Sequence, residues 1–305
     1  MAGKRQHYTS CFHLRHFIGD VQKGCLWTYD AETGSARPSV PEDTGLETHY
    51  YSFENDDGTM SYLYDDCITE VEGFAAPIYK KLVEKQIPHE QEKFDFAFFL
   101  GLTYLRTPAM RRMTGEMRSR YIQIINYAYA IHDPAFEGLV KGFEKAEGKR
   151  LSDEQKTQLK QDFIDPSPYK IAIPKHTTFP DFETIEKLAR ILYDMNWSLI
   201  YPKHGYFITS DNPVVRRVDP KTVSPIYGDH GFLNKTVEVS FPLAPKIMLI
   251  AAWHENYPQH GIAERIMLSG IMQTVRFIRN DTYTGTFSTK ASSGWLRSSK
   301  MRVSV

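Results

Sequence analysis

The sequence predicts an α+β fold, with a largely helical N-terminal block packed on a small, mostly antiparallel β-sheet in the C-terminal half. Apolar residues recur at steps of three and four over about residues 60–195, the spacing of one helix face. Short β-rich runs broken by Pro, Gly and Asp fill much of about residues 196–280, as strands and turns do. No repeat or low-complexity linker separates the two regions, and 305 residues can bury one large core. A single domain over 1–305 is therefore expected, with the N-terminal segment of about residues 1–55 completing the sheet region.

Each element has a local reason. The start, "MAGKRQHYTS", lacks the apolar run of a signal peptide. "CFHLRHFIG" predicts a short helix, "GCLWTYDAETG" a strand running into a turn, and "SARPSVPEDTG" a loop by its Pro, Ser and Gly content. Ile68, Val71, Ala75, Ile78 and Leu82 form an amphipathic stripe, and Pro77 within it predicts a kink or an early stop. "FDFAFFLGLTYL" is apolar on nearly every side, as a central buried helix is.

Thr107 is a good N-cap and Pro108 suits the first helical position. The helix they open carries a second stripe from Met110, Met113 and Met117 through Tyr121 and Ile124 to Ala128 and Ile131. Two shorter charged helices follow at about 134–146 and 152–164, the latter with Ser152 and Glu154 or Gln155 as capping partners. Thr178 with Asp181 opens another helix, striped by Phe182, Ile185, Leu188, Leu192 and Met195. "WSLIYP", "YFITS", "TVEVSFPL" and "KIMLIAAW" read as strands, ahead of a last helix at about 261–276 and a polar tail.

Composition narrows the function. The 37 basic and 37 acidic residues cancel, so no overall positive field draws in long nucleic acids. Cys11, Cys25 and Cys67 are odd in number and lack C-x-x-C spacing, which predicts neither a disulfide framework nor a zinc finger. The apolar runs are too short to span a bilayer. A soluble protein of a reducing compartment, the cytoplasm, with no membrane partner, is the expectation. Nucleotide-binding glycine loops, the nucleophile elbow, H-E-x-x-H and kinase signatures are all missing.

A few polar residues stand out. His7 precedes the first helix, where an imidazole can move protons near neutral pH. His13 and His16 have the spacing of two metal ligands but no acid beside them, and solvated or core histidines are the simpler reading. Arg15 either pairs with a neighbour or assists an anion site. Asp65, Glu72 and Tyr79 are seven apart and share a helix face. Two turns put the carboxylates ~10 Å apart, with room for a third group, unless this is simply a solvated acidic face.

Arg106 ends the buried helix beside the free N–H groups of the next helix start, an arrangement suited to anions. The alternative is an arginine tying two helices together through a buried acid. In "YFITSDNPVV", Ser210-Asp211-Asn212-Pro213 either closes a self-satisfied turn or projects Asp211 and Asn212 into a site.

Together, "HYTSCFHLRHF", "LWTYD", "RTP", "FITSDNPV" and "FPLAP" resemble the bacterial and fungal domain-of-unknown-function family numbered 4238, over about residues 6 to 280. The family's first element falls on His7, Leu14 and Phe17, its Arg-Thr-Pro on Arg106 to Pro108, and its Ser-Asp-Asn-Pro on Ser210 to Pro213. Where that pattern usually carries Pro, this chain has Ser10. The resemblance implies one domain and supplies no activity.

Three functional readings follow. In the first, a hydrolase acts on a phosphate-bearing substrate, a nucleotide or RNA. Arg106 and Thr107 hold the phosphate with help from Arg15, Ser210 and Asn212. His7 is the general acid or base, and Glu72 or Asp211 orients it or binds a divalent ion. No dedicated metal cluster and no cofactor follow from the residues. In the second, the same cluster senses a small anion or a partner without breaking a bond. In the third, Arg106, Glu72 and Asp211 form a structural ion network. Periodicity also leaves room for a stripe that continues into a contact between copies.

Overall fold

The computed structural model describes residues 4–263 apart from 20–23, 32, 56, 227, 230 and 255–257. Strand β1 (Arg5–His7) leads into the short helix α1 (Cys11–Arg15), followed by β2 (Leu26–Tyr29), β3 (Ala36–Ser39), β4 (Leu46–Thr48), β5 (Phe53–Glu54) and β6 (Met60–Ser61). β1 pairs with β4, β2 with β3 and β5 with β6, all antiparallel. β3 lies where composition predicts a loop. Its Pro38 is tolerated because β2 is its one ladder neighbour, and a two-stranded ribbon keeps open edges.

Next come α2 (Leu63–Val83), α3 (Glu90–Leu105), α4 (Pro108–Ala130), α5 (Asp133–Glu147), α6 (Asp153–Ile164) and α7 (Phe182–Asp194). α2 does not stop at Pro77; Ala75, Ile78 and Leu82 are buried on both sides of it, and their packing holds the helix through the missing hydrogen bond. Thr107 caps α4 by accepting from Met110 N, and Ser152 and Gln155 close a capping box on α6. The cap of α7 is Asp181, which accepts from Thr184 N, whereas Thr178 ends a separate 3-10 turn.

The sheet comprises β7 (Asn196–Pro202), β8 (Val215–Arg217), β9 (Glu238–Ala244), β10 (Ile247–Ala252) and β11 (His260–Ala263). Its order is β11-β7-β10-β9-β8, and only β11 with β7 is parallel. The α+β class is thus as the sequence predicts. Two strand-level expectations differ. Tyr206–Ser210 forms no continuous strand: it has a single bridge residue at Thr209 and is held through Phe207 N to Pro245 O at 2.8 Å. Residues 261–263 are strand rather than the start of a helix, and the rest of the helix expected to 276, with the polar tail, lies outside the described residues.

α3 is the central helix, with Phe96, Ala97, Phe99, Leu100 and Leu102 all buried. It crosses α7 closely because position 101 is glycine; a Cβ there would stand 3.3 Å from the Ile185 carbonyl oxygen. Phe241 of β9 meets Tyr79, Phe96 and Phe99 with ring centroids 6.0 to 6.3 Å apart. One apolar cluster therefore runs from α2 through α3 and α7 to the sheet.

Candidate functional site

The site is built where the N-terminal segment lies along α2. Side chains seven apart on one face of α2 each meet a residue of that segment. Asp65 stands beside Gln6, Glu72 accepts from Ser10 Oγ at 2.8 Å, and Tyr79 lies 2.7 Å from His13 Nδ1. The face that reads in sequence as an acidic stripe is thus half covered, and each of its polar groups has a use.

Arg106 sits at the centre. It is the C-cap of α3 and only 2% exposed. Its Nη2 donates to Ser10 Oγ and to Glu72 Oε1, both at 2.6 Å. Glu72 keeps 23% of its side chain exposed, so the ion pair runs from the interior towards the surface. Ser10 precedes α1 yet does not cap it; its hydroxyl links Arg106 and Glu72 instead. Burial opposes the guanidinium charge, but the surrounding groups outweigh it, Glu72 among them through its charge and its hydrogen bond, and the pKa is raised. Among the described residues, Arg106 Nε and Nη1 are buried with no hydrogen-bond partner.

His7 is half-buried beside this pair. Burial lowers its pKa, and the opposed fields of Glu72 and Arg106 act on it. Its Nε2 lies 3.4 Å from the Pro41 carbonyl oxygen, which can only accept, so Nδ1 is the basic nitrogen of the neutral ring. Around the cluster, Tyr51 donates to His7 O at 3.3 Å and Tyr50 to Arg106 O at 3.0 Å. Burial drives the Tyr51 phenol well up and that of Tyr50 to about 12, so both remain neutral donors. Burial also raises the Asp65 carboxyl, with Asp66 and Glu72 adding to it.

The other candidates are placed differently. Arg15 is exposed and engaged with Glu42, Nη2 to Oε1 at 2.9 Å; it is a surface ion pair and makes no contact with Arg106. Thr107 is buried as the cap of α4. Ser210 Oγ accepts from Asn212 N at 3.1 Å, a bond within the turn. Asp211 is buried in that turn. The turn meets the N-terminal segment through Thr209, whose Oγ1 is 2.7 Å from His13 Nε2.

His13 is buried, the core histidine rather than the metal ligand of the two readings that its spacing with His16 allows. Tyr79 gives its proton to Leu243 O at 2.5 Å, so it accepts from His13 Nδ1–H, and Thr209 in turn donates to Nε2. Both ring nitrogens are satisfied in the neutral form, and burial pushes the pKa down to about 3. His16 stacks on Tyr79 at 4.9 Å. Among the described residues no three His, Cys, Asp or Glu side chains gather as metal ligands. Ser10 was missed as a site residue, since a serine before a helix signals a cap.

Among the described residues no helix is long and apolar enough to cross a membrane. A family model described as "Protein of unknown function (DUF4238)" matches residues 5–287, nearly the whole chain. No curated protein and no solved structure matches.

Proposed function

We propose that this chain, which belongs to the DUF4238 family, binds a small phosphate-bearing ligand at Arg106, with His7 placed to move a proton when that ligand is hydrolysed. One observation carries the reading. Arg106 is buried, yet Nε and Nη1 find no acceptor among the described residues. Each unmet buried donor costs about 1–3 kcal/mol, and an oxygen-rich anion removes that cost, since guanidinium groups suit phosphate. The start of α4 immediately follows Arg106 and its dipole adds to the attraction.

His7 is neutral at pH 7 by the direction of its shift, as a general base must be. Glu72 neutralises Arg106 and biases the His7 ring. The chain acts as one domain in this proposal, and nucleotides and short RNA ends are the ligand classes. A second reading, a structural network, is favoured by the full burial of Arg106 and by the Tyr50 bond to its carbonyl.

The experiment compares wild type, Arg106→Lys and His7→Gln in melting and calorimetric titrations with inorganic phosphate, nucleotides and short RNAs, alongside assays of phosphate release. A stabilising shift in wild type that Arg106→Lys loses supports the binding site. Loss of phosphate release in His7→Gln with binding kept supports hydrolysis; unchanged release refutes the role of His7, and binding without release in wild type identifies a sensor. If no ligand shifts wild type while Arg106→Lys melts several degrees lower, the network is structural.

A further inference from the structure

α4 is amphipathic the wrong way round. At 100° per residue, Met113, Met117, Tyr121, Ile124 and Tyr127, with Ile131 just beyond the last turn, fall on one side. Their exposures run from 48% at Tyr127 to 66% at Ile124. The opposite side carries Gly115, Ser119, Gln123, Asn126 and Ala130, none of them exposed. In a lone globular chain the apolar side turns inward. Here α5 and α6 pack against α4, yet its apolar side is left in solvent.

We infer that this face joins a second copy of the chain, as an antiparallel pair of α4 helices about a two-fold axis. Three features select that occupant. The stripe from Met110 to Ile131 advances by steps of three and four, the spacing of a seam along which a helix packs on a similar helix. The six residues expose on the order of 600 Å² of side chain, taking roughly 150–200 Å² for each when whole. That already approaches the ~800 Å² per partner of a stable interface and exceeds an incidental patch.

Charge sets the direction. The charged residues of α4 (Arg111, Arg112, Glu116, Arg118 and Arg120) all lie in its first half, with Arg120 within the apolar side at 100° per residue and Glu116 at its edge, while the second half, from Tyr121, has no charged side chain. A parallel pair would set arginine against arginine. An antiparallel pair centred between positions 120 and 121 sets Met117 against Ile124 and Arg120 over the ring of Tyr121, a cation–π arrangement.

The test uses the full chain in sedimentation equilibrium and light scattering over a range of concentrations, with Ile124→Glu and Met117→Glu as variants. Wild type is expected at about twice 35.2 kDa, and each variant at the monomer mass with an unchanged circular dichroism spectrum. Arg120→Glu should weaken the dimer at least tenfold, and the spectrum distinguishes this from misfolding. Wild type running as a monomer at ~100 μM, as it would if residues 264–305 covered the stripe, overturns the inference. So does a dimer that survives Ile124→Glu, because its interface then lies elsewhere.

Discussion

Acidification should destabilise this protein through His13, and the size of the effect follows from the structure. The folded imidazole is neutral, bonded at both nitrogens to Tyr79 and Thr209, with its pKa lowered to about 3 from 6.5 mainly by burial. The unfolded chain protonates the same ring near 6.5. Between those values the unfolded state holds more protons than the folded one, so stability rises with pH and is lost as pH falls below about 6.5. From pH 7.5 to 5.0, one such group accounts for about 2 kcal/mol, at ~1.4 kcal/mol per pH unit below the unfolded pKa. His7 and His16 are shifted in the same direction, also by burial, and add to the slope. The His13 share is isolated by urea unfolding of wild type and His13→Gln at both pH values. Wild type should lose about 2 kcal/mol more than the variant across that interval. Equal losses would refute the neutral, doubly bonded ring.

Three further outcomes follow from packing and capping. Glu72→Ala leaves the buried Arg106 without its counter-charge and should cost about 3 kcal/mol, read as a lower urea midpoint; a neutral result would mean that Arg106 is otherwise compensated. Phe241→Ala empties the joint between helices and sheet, where the ring is 1% exposed and stacks on His13 at 4.9 Å. Its expected loss is about 3–5 kcal/mol. Thr107→Ala removes the α4 cap bond to Met110 N at 3.3 Å and should lower stability by about 1 kcal/mol, with no change if Tyr104 or water takes over the cap.

The helices were readable because their causes are local. Thr107-Pro108, the Ser152–Gln155 box and the stripes of α2 and α7 act within one or two turns, and each forms where its residues lie. Local rules failed where a neighbour decided. Pro38 entered a strand because β2 was there to pair with it. Asp181 took the cap of α7 because Thr178 was already committed to the turn before it. Tyr206–Ser210 has a strand's alternation yet pairs only through a bridge at Thr209, while its Phe207 N–H bonds to Pro245 and the Thr209 side chain to His13.

The candidate site divides in the same way. Residue types and spacing alone singled out Arg106, Glu72 and His7, since an arginine at a helix junction and acids seven apart are visible in one dimension. Their meeting is a matter of the third. Ser10 and Glu72 are 62 positions apart and His13 and Thr209 are 196 apart, and no local propensity carries information over such distances. Arg15, equally plausible in sequence, turns outward to Glu42 because α1 buries His13 and Leu14 instead. The α4 stripe is the clearest division. Its period is written in the sequence, but only tertiary packing decides that Ala130 is buried and Gly115 and Ser119 half-buried while Met113 and Met117 face water. Periodicity states which residues share a face; burial, set by every other element at once, decides where that face points.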